Sequence, residues 1–140
     1  MSNPRISNFD TSKTFVWNPR TTTGVFTNGG YDDTLLAGTV MGRISATQKL
    51  TPLQSTASDG SQFPVGILLA DTDVEAGEDA TLTIVVEGDV VESKLVFDRS
   101  GDTLSTVVSG RSLRDRIGAD TVGIKLVGGD QLTGYDNQPA

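Results

Sequence analysis

Apolar residues recur at every second position in two stretches of this chain, Val40-Gly42-Ile44 and Leu82-Ile84-Val86. That spacing buries one face of a β-strand. Ser58-Asp59-Gly60 and Ala76-Gly77-Glu78-Asp79 carry turn chemistry, because glycine reaches positive φ freely and aspartate bonds its own backbone. From Gly38 to Val91 short strand patterns and turns alternate, and no cluster of nucleophiles or ligands interrupts them. The period changes after Asp102, where Leu104, Val107 and Val108 fall at helical spacing, with Asp102 placed to cap the start and Gly110 the end. Ser112-Leu113-Arg114-Asp115 has the form of a capping box ahead of Ile117, and Gly118 is placed to supply a left-handed C-terminal cap. Val122, Ile124 and Leu126 return to alternation, so a strand closes the domain near Val127. The pattern predicts a mostly β single domain with one or two short helices.

The flanks read differently. Residues 1–33 are rich in Asn, Ser, Thr and Gly and hold neither period, which predicts an extended N-terminal arm on a β-rich domain of residues 34–127, followed by a flexible C-terminal tail of residues 128–140. Solvated tails are poor in aromatic residues. This arm nevertheless contains Phe9, Phe15, Trp17, Phe26 and Tyr31, leaving Phe63, Phe97 and Tyr135 for the rest of the chain. Aromatic side chains in an arm imply a surface to dock on; the alternatives are packing on the chain's own domain or on a neighbouring copy. Charge divides along the same boundary, since residues 1–31 carry Arg5, Lys13 and Arg20 against Asp10, while the whole chain has a net charge of -7. A mildly basic arm on an acidic body suits contact with another, acidic, protein surface.

Composition narrows the chemistry. There is no histidine and no cysteine among the 140 residues, which removes Ser-His-Asp and Cys-His catalysis, thiolate ligation and disulfides. The acidic balance, with a pI near 4.4, argues against a nucleic-acid partner, whose phosphates would be repelled. No apolar run approaches the ~20 residues that span a bilayer, and residues 1–20 lack the hydrophobic centre of a signal peptide. No membrane partner and no secretion are expected.

The remaining candidate constellations fail on geometry. Asp71 to Asp79 places carboxylates at alternate positions, but counting from Asp71 the sixth residue is Ala76 and the twelfth Leu82, where a calcium loop needs Gly and Glu. A solvated acidic hairpin loop, which also discourages edge pairing, is the better reading. Glu87 with Asp89 and Asp98 with Asp102 are carboxylate pairs of the kind that could serve acid-base work; the first pair flanks Gly88 in what reads as a turn after a strand. Glycine-rich phosphate cradles are absent. Arg111, Arg114 and Arg116, interrupted by Asp115, suit helix ion pairing or an acidic neighbouring subunit. No cofactor and no metal site are expected.

The order of segments, above all Pro64-Val65-Gly66-Ile67-Leu68 between the Ser-Asp-Gly turn and the acidic loop, resembles the head decoration proteins of lambda-like tailed bacteriophages over roughly Leu35 to Val127. The resemblance implies a β-clip-like fold and a tight homotrimer. It implies a capsid-stabilising cement protein, made in the host cytoplasm and carried on the outer surface of the virion. Such trimers sit at three-fold and quasi-three-fold positions of the icosahedral head and clamp the major capsid protein against the pressure of packaged DNA. In the family the N-terminal arm pairs with capsid strands, so Phe9, Phe15, Val16, Trp17, Arg20, Val25, Phe26 and Tyr31 become the candidate capsid-binding residues, with Thr11 to Trp17 and Thr21 to Thr27 as pairing segments. The arm is long for the family, and the tail after Val127 has no counterpart in its pattern. Two readings from other classes stand beside this one. A trimeric nucleotide hydrolase, the dUTPase, has a β-rich fold of similar size, but its PRSS-like and RGxxGFG segments are not found here. A carbohydrate-binding adhesin domain would draw on the aromatic residues.

Overall fold

The computed structural model describes residues 16–27, 33–98 and 101–128. It is mostly β. Ten strands follow in chain order: β1 (Val16–Thr27), β2 (Asp33–Leu35), β3 (Val40–Arg43), β4 (Leu50–Pro52), β5 (Pro64–Leu68), β6 (Thr72–Val74), β7 (Asp79–Val91), β8 (Val107–Val108), β9 (Arg111–Ser112) and β10 (Gly123–Val127). Among the described residues one α-helix, α1 (Leu113–Asp120), precedes β10, and a single 3-10 turn, Glu92–Lys94, follows β7.

Strands β1, β4, β3, β5 and β7 are hydrogen-bonded in that order, and β1 also pairs with β7, so the sheet closes on itself as a small barrel. Alternation along each strand sends successive residues to opposite sides. Phe26, Leu50, Met41, Leu68, Leu82 and Ile84, drawn from all five ring strands, pack together as the barrel interior, and Leu35 and Val74 from the β2–β6 pair join them. Val40, Ile67 and Val90 face the other way and pack with Leu113, Ile117 and Ile124 under α1 and β10. β3, β5 and the end of β7 are thus buried on both sides, a richer arrangement than the single buried face that the alternation predicts, while β1 keeps an exposed outer face.

Several local expectations are corrected. The segment expected as a helix from Asp102 to Gly110 is a turn and a hairpin. Its threonines bond locally, Thr106 N to the Thr103 carbonyl at 3.0 Å and Thr103 N to Thr106 Oγ1 at 2.9 Å. Ser109 and Gly110, at φ 49° and 85°, form the left-handed pair that joins β8 to β9. Asp102 is no cap, because its carboxylate accepts from Ser55 N at 2.8 Å and Ser55 Oγ at 2.5 Å, tying two loops together. Ser112 does cap α1, its hydroxyl accepting from Asp115 N at 3.3 Å. Gly118 lies inside the helix, which runs on to Asp120 and ends at Thr121, whose hydroxyl donates to the Ile117 carbonyl at 2.5 Å. Val122, expected on the buried face of the last strand, precedes that strand and is 67% exposed.

Glu87-Gly88-Asp89 is not a turn either. β7 continues through it to Val91, paired with β1 on one edge and with β10 on the other. The largest change concerns the expected arm, because Val16–Thr27 is a 12-residue strand of the barrel itself. It runs antiparallel to β7 from Val16↔Val90 to Thr27↔Asp79. Residues 1–15 and 129–140 lie outside the described residues.

Candidate functional site

The candidate binding residues converge on β1. Phe26 is 2% exposed and belongs to the barrel interior, so its ring serves the fold and is corrected as a capsid contact. Burying such a side chain stabilises by roughly 1.5–3 kcal/mol. Packing on the chain's own domain, the alternative weighed for the aromatic residues, is what happens here. Val16 is half-buried and packs against the cluster under α1. Trp17 is likewise half-buried, Arg20 is exposed, and Val25 is 38% exposed. Phe9, Phe15 and Tyr31 lie outside the described residues.

Register gives this strand its local geometry. Trp17 stands opposite Asp89, and Lys125 of β10 stands opposite the same Asp89 from the other side. In the next row Arg20 Nη1 donates to Glu87 Oε1 at 3.2 Å, an exposed pair of small energetic weight. Val16, Val90, Ile124 and Leu126 point to the opposite side, into the cluster under α1. The outer face of β1, β7 and β10 is therefore an aromatic ring among alternating charges. The sequence alone did not show Asp89, Glu87 and Lys125 as Trp17's and Arg20's neighbours, because cross-strand register is not written in any local spacing.

A bulge divides β1. The register shifts on both sides of Arg20, and Asn18 adopts φ 53°. Opposite lies Gly88 at φ 138°, where an added Cβ would come within 2.9 Å of the Trp17 carbonyl oxygen. A side chain there would both strain the backbone and lift β1 from β7. Beyond the bulge, Arg20, Thr21, Thr22 and Thr23 are all exposed. Strand β4 meets β1 at Phe26↔Leu50, so from Val16 to Val25 the outer edge of β1 has no strand neighbour among the described residues.

The chain enters and leaves this region at one end. β1 begins level with Val90 and β10 ends level with Val91. Val16 and Val127 therefore lie two strand spacings apart, about 10 Å.

Elsewhere the carboxylates act as structural acceptors. Asp71 Oδ1 accepts from Ala37 N at 2.7 Å, Asp73 Oδ1 from Thr34 Oγ1 at 2.6 Å, and Asp79 Oδ1 from Thr27 Oγ1 at 2.6 Å. The acidic stretch is thus exposed to solvent, as the sequence predicts, and also tied to β2, the loop after it and β1 through these carboxylates. Among the described residues no three carboxylates gather as cation ligands. Hydrogen bonds from the hydroxyl and amide of Ser61 hold the Asp59 carboxyl below its ordinary pKa. Asp59 lines a shallow cavity of about 230 Å³ with Thr51, Gln54 and Ser61, which carries no nucleophile paired with a base. Of the three clustered arginines, Arg116 pairs with Asp120 one turn on, as helix-side ion pairing predicts, while Arg114 reaches across to Glu92 in the 3-10 turn.

No curated protein matches the chain in sequence. The family model of the bacteriophage lambda head decoration protein D matches residues 17–111, from Trp17 at the β1 bulge to the first residue of β9. That span takes in all five barrel strands apart from Val16, and the chain belongs to the bacteriophage lambda head decoration protein D family.

Proposed function

We propose that this protein is a non-enzymatic cement protein that binds the outer surface of a phage head as a homotrimer at three-fold and quasi-three-fold positions. In this role it clamps the major capsid protein against the pressure of packaged DNA. The coarse role, decoration of a phage capsid, follows from family membership, and the match across residues 17–111 is the observation that carries it. The fold supports the finer reading by what it offers its partners: a closed barrel with strand edges open to neighbouring copies and a Trp17-bearing face. Such a surface binds through backbone pairing and multivalency, with no bond made or broken.

Of the two expected pairing segments, Thr21 to Thr27 and the Val16–Trp17 end of Thr11 to Trp17 are already paired with β7 along one edge. The docking segment in this reading is residues 1–15. Three such segments, leaving one trimer together, would raise avidity well beyond that of one.

Cosedimentation with expanded heads tests the reading. Full-length protein should saturate the heads, a chain lacking residues 1–15 should remain folded and lose most of its affinity, and binding by the truncated chain at full affinity would overturn the docking assignment. Failure of the full-length chain to bind heads would overturn the function.

A further inference from the structure

Two strand edges stay open on opposite sides of the same molecule. On one side is the outer edge of β1 beyond its bulge, Arg20 to Val25, whose last residue lies just before the β4 contact at Phe26. On the other is the outer edge of β10, Gly123–Val127, whose inner edge is paired with β7. Neither outer edge has a strand partner among the described residues. The two stretches have nearly the same length. Because β1 is antiparallel to β7 and β10 is parallel to it, β1 and β10 run in opposite directions.

Each edge also ends in an exposed aliphatic side chain. Val25 is 38% exposed and Val122, immediately before β10, is 67% exposed; they are two of four large exposed hydrophobic side chains among the described residues. If β10 of one copy is laid antiparallel on β1 of another with Thr23 opposite Ile124, Val25 falls beside Val122 and Thr22 beside Lys125. Arg20 then lies level with Val127. One register thus covers both open edges and both valines at once.

We infer that β10 of one copy adds as an antiparallel strand to the Arg20–Val25 edge of the next, burying Val25 against Val122. This rests on the homotrimer reading above and specifies its interface. The contact joins two different patches, so it is heterologous, and repetition closes a ring in which every copy gives one edge and receives one. An isologous dimer would leave an edge of each copy uncovered. Closure also removes the unpaired backbone groups that would otherwise recruit stray strands.

Cysteine cross-linking tests the inference, helped by a chain that contains no cysteine. Val25→Cys and Val122→Cys are made singly and together, each at an exposed position that the fold tolerates, and a short bis-maleimide bridges whatever thiols come close. The double variant should give covalent dimers and trimers on a denaturing gel, while each single variant stays at monomer mass. Efficient linking of either single variant would mean that like patches meet, which overturns the inference. Light scattering on the unmodified chain separates the two layers: a trimer whose double variant does not link discards this interface and keeps the trimer, whereas a monomer discards both.

Discussion

Phe26 stands opposite Leu50 in the register pair that joins β1 to β4, and both side chains are buried in the barrel interior. This contact is where the ring closes. The strand that carries Phe26 is therefore part of the fold.

Phe26→Ala should cost about 3–5 kcal/mol, the range for removing a buried aromatic side chain. Val25→Ala, next to it but facing outward, should cost less than about 0.5 kcal/mol in the isolated chain. Urea unfolding of the two variants checks the contrast. Equal, small losses would show that β1 is not integral to the barrel.

Gly88→Ala should destabilise by about 1–3 kcal/mol, since it combines an unfavourable φ with a Cβ pressed on the Trp17 carbonyl. The damage should be local as well as global. Amide exchange at Val16 to Arg20 should accelerate more than exchange within β3, and uniform acceleration would contradict the close approach.

Arg116 holds the β8–β9 hairpin to α1. Its Nε donates to the Val108 carbonyl at 2.6 Å, its Nη2 to Ser109 O at 3.2 Å and its Nη1 to Asp120 at 3.1 Å, and the guanidinium lies 4.9 Å from the centre of the Phe63 ring. Lysine keeps the charge and loses the fork. Arg116→Lys should cost about 2 kcal/mol in thermal unfolding, and a variant as stable as the parent would show that charge alone suffices.

Asp59 makes stability depend on acid. Its folded pKa is lowered, so the stabilisation is complete above the ordinary value of 3.8 and is lost as pH falls through the folded value. Ser61→Ala removes both the hydroxyl donor and its effect on that carboxyl. The stability difference between parent and variant should therefore be larger at pH 7 than at pH 2. A difference independent of pH would mean that Ser61 acts through packing alone.

The sequence carried the periodic parts of this fold and lost what depends on distant partners. Leu82 and Ile84 alternate and do line the barrel, and Ser112 caps α1, because both signals are local. Val16 to Thr27 reads as an arm because its Thr, Asn, Pro and Gly residues break the alternation, yet pairing with β7 makes it a strand. Tertiary pairing overrides weak local preference in this way. Glu87-Gly88-Asp89 misleads for the same reason: a glycine between two acids has turn chemistry, but here the glycine answers to the bulge across the sheet. In the candidate site, Trp17 and Arg20 stood out by residue type, whereas the Asp89 and Lys125 that flank them could be found only through register.

The pairing of Val16–Thr27 with Asp79–Val91 has a consequence for synthesis. β1 leaves the ribosome before the strand that completes it exists, and at about 5–20 residues per second it waits on the order of several seconds. During that interval β1 lacks the whole β7 ladder that pairs with it from Val16 to Thr27 in the finished barrel. Ring closure then joins residues far apart in the chain, a slow class of folding event. A cell producing many copies at once would have polysomes crowded with unpaired β1 strands, so yield should depend on expression rate and temperature more steeply than the stability of the finished barrel suggests.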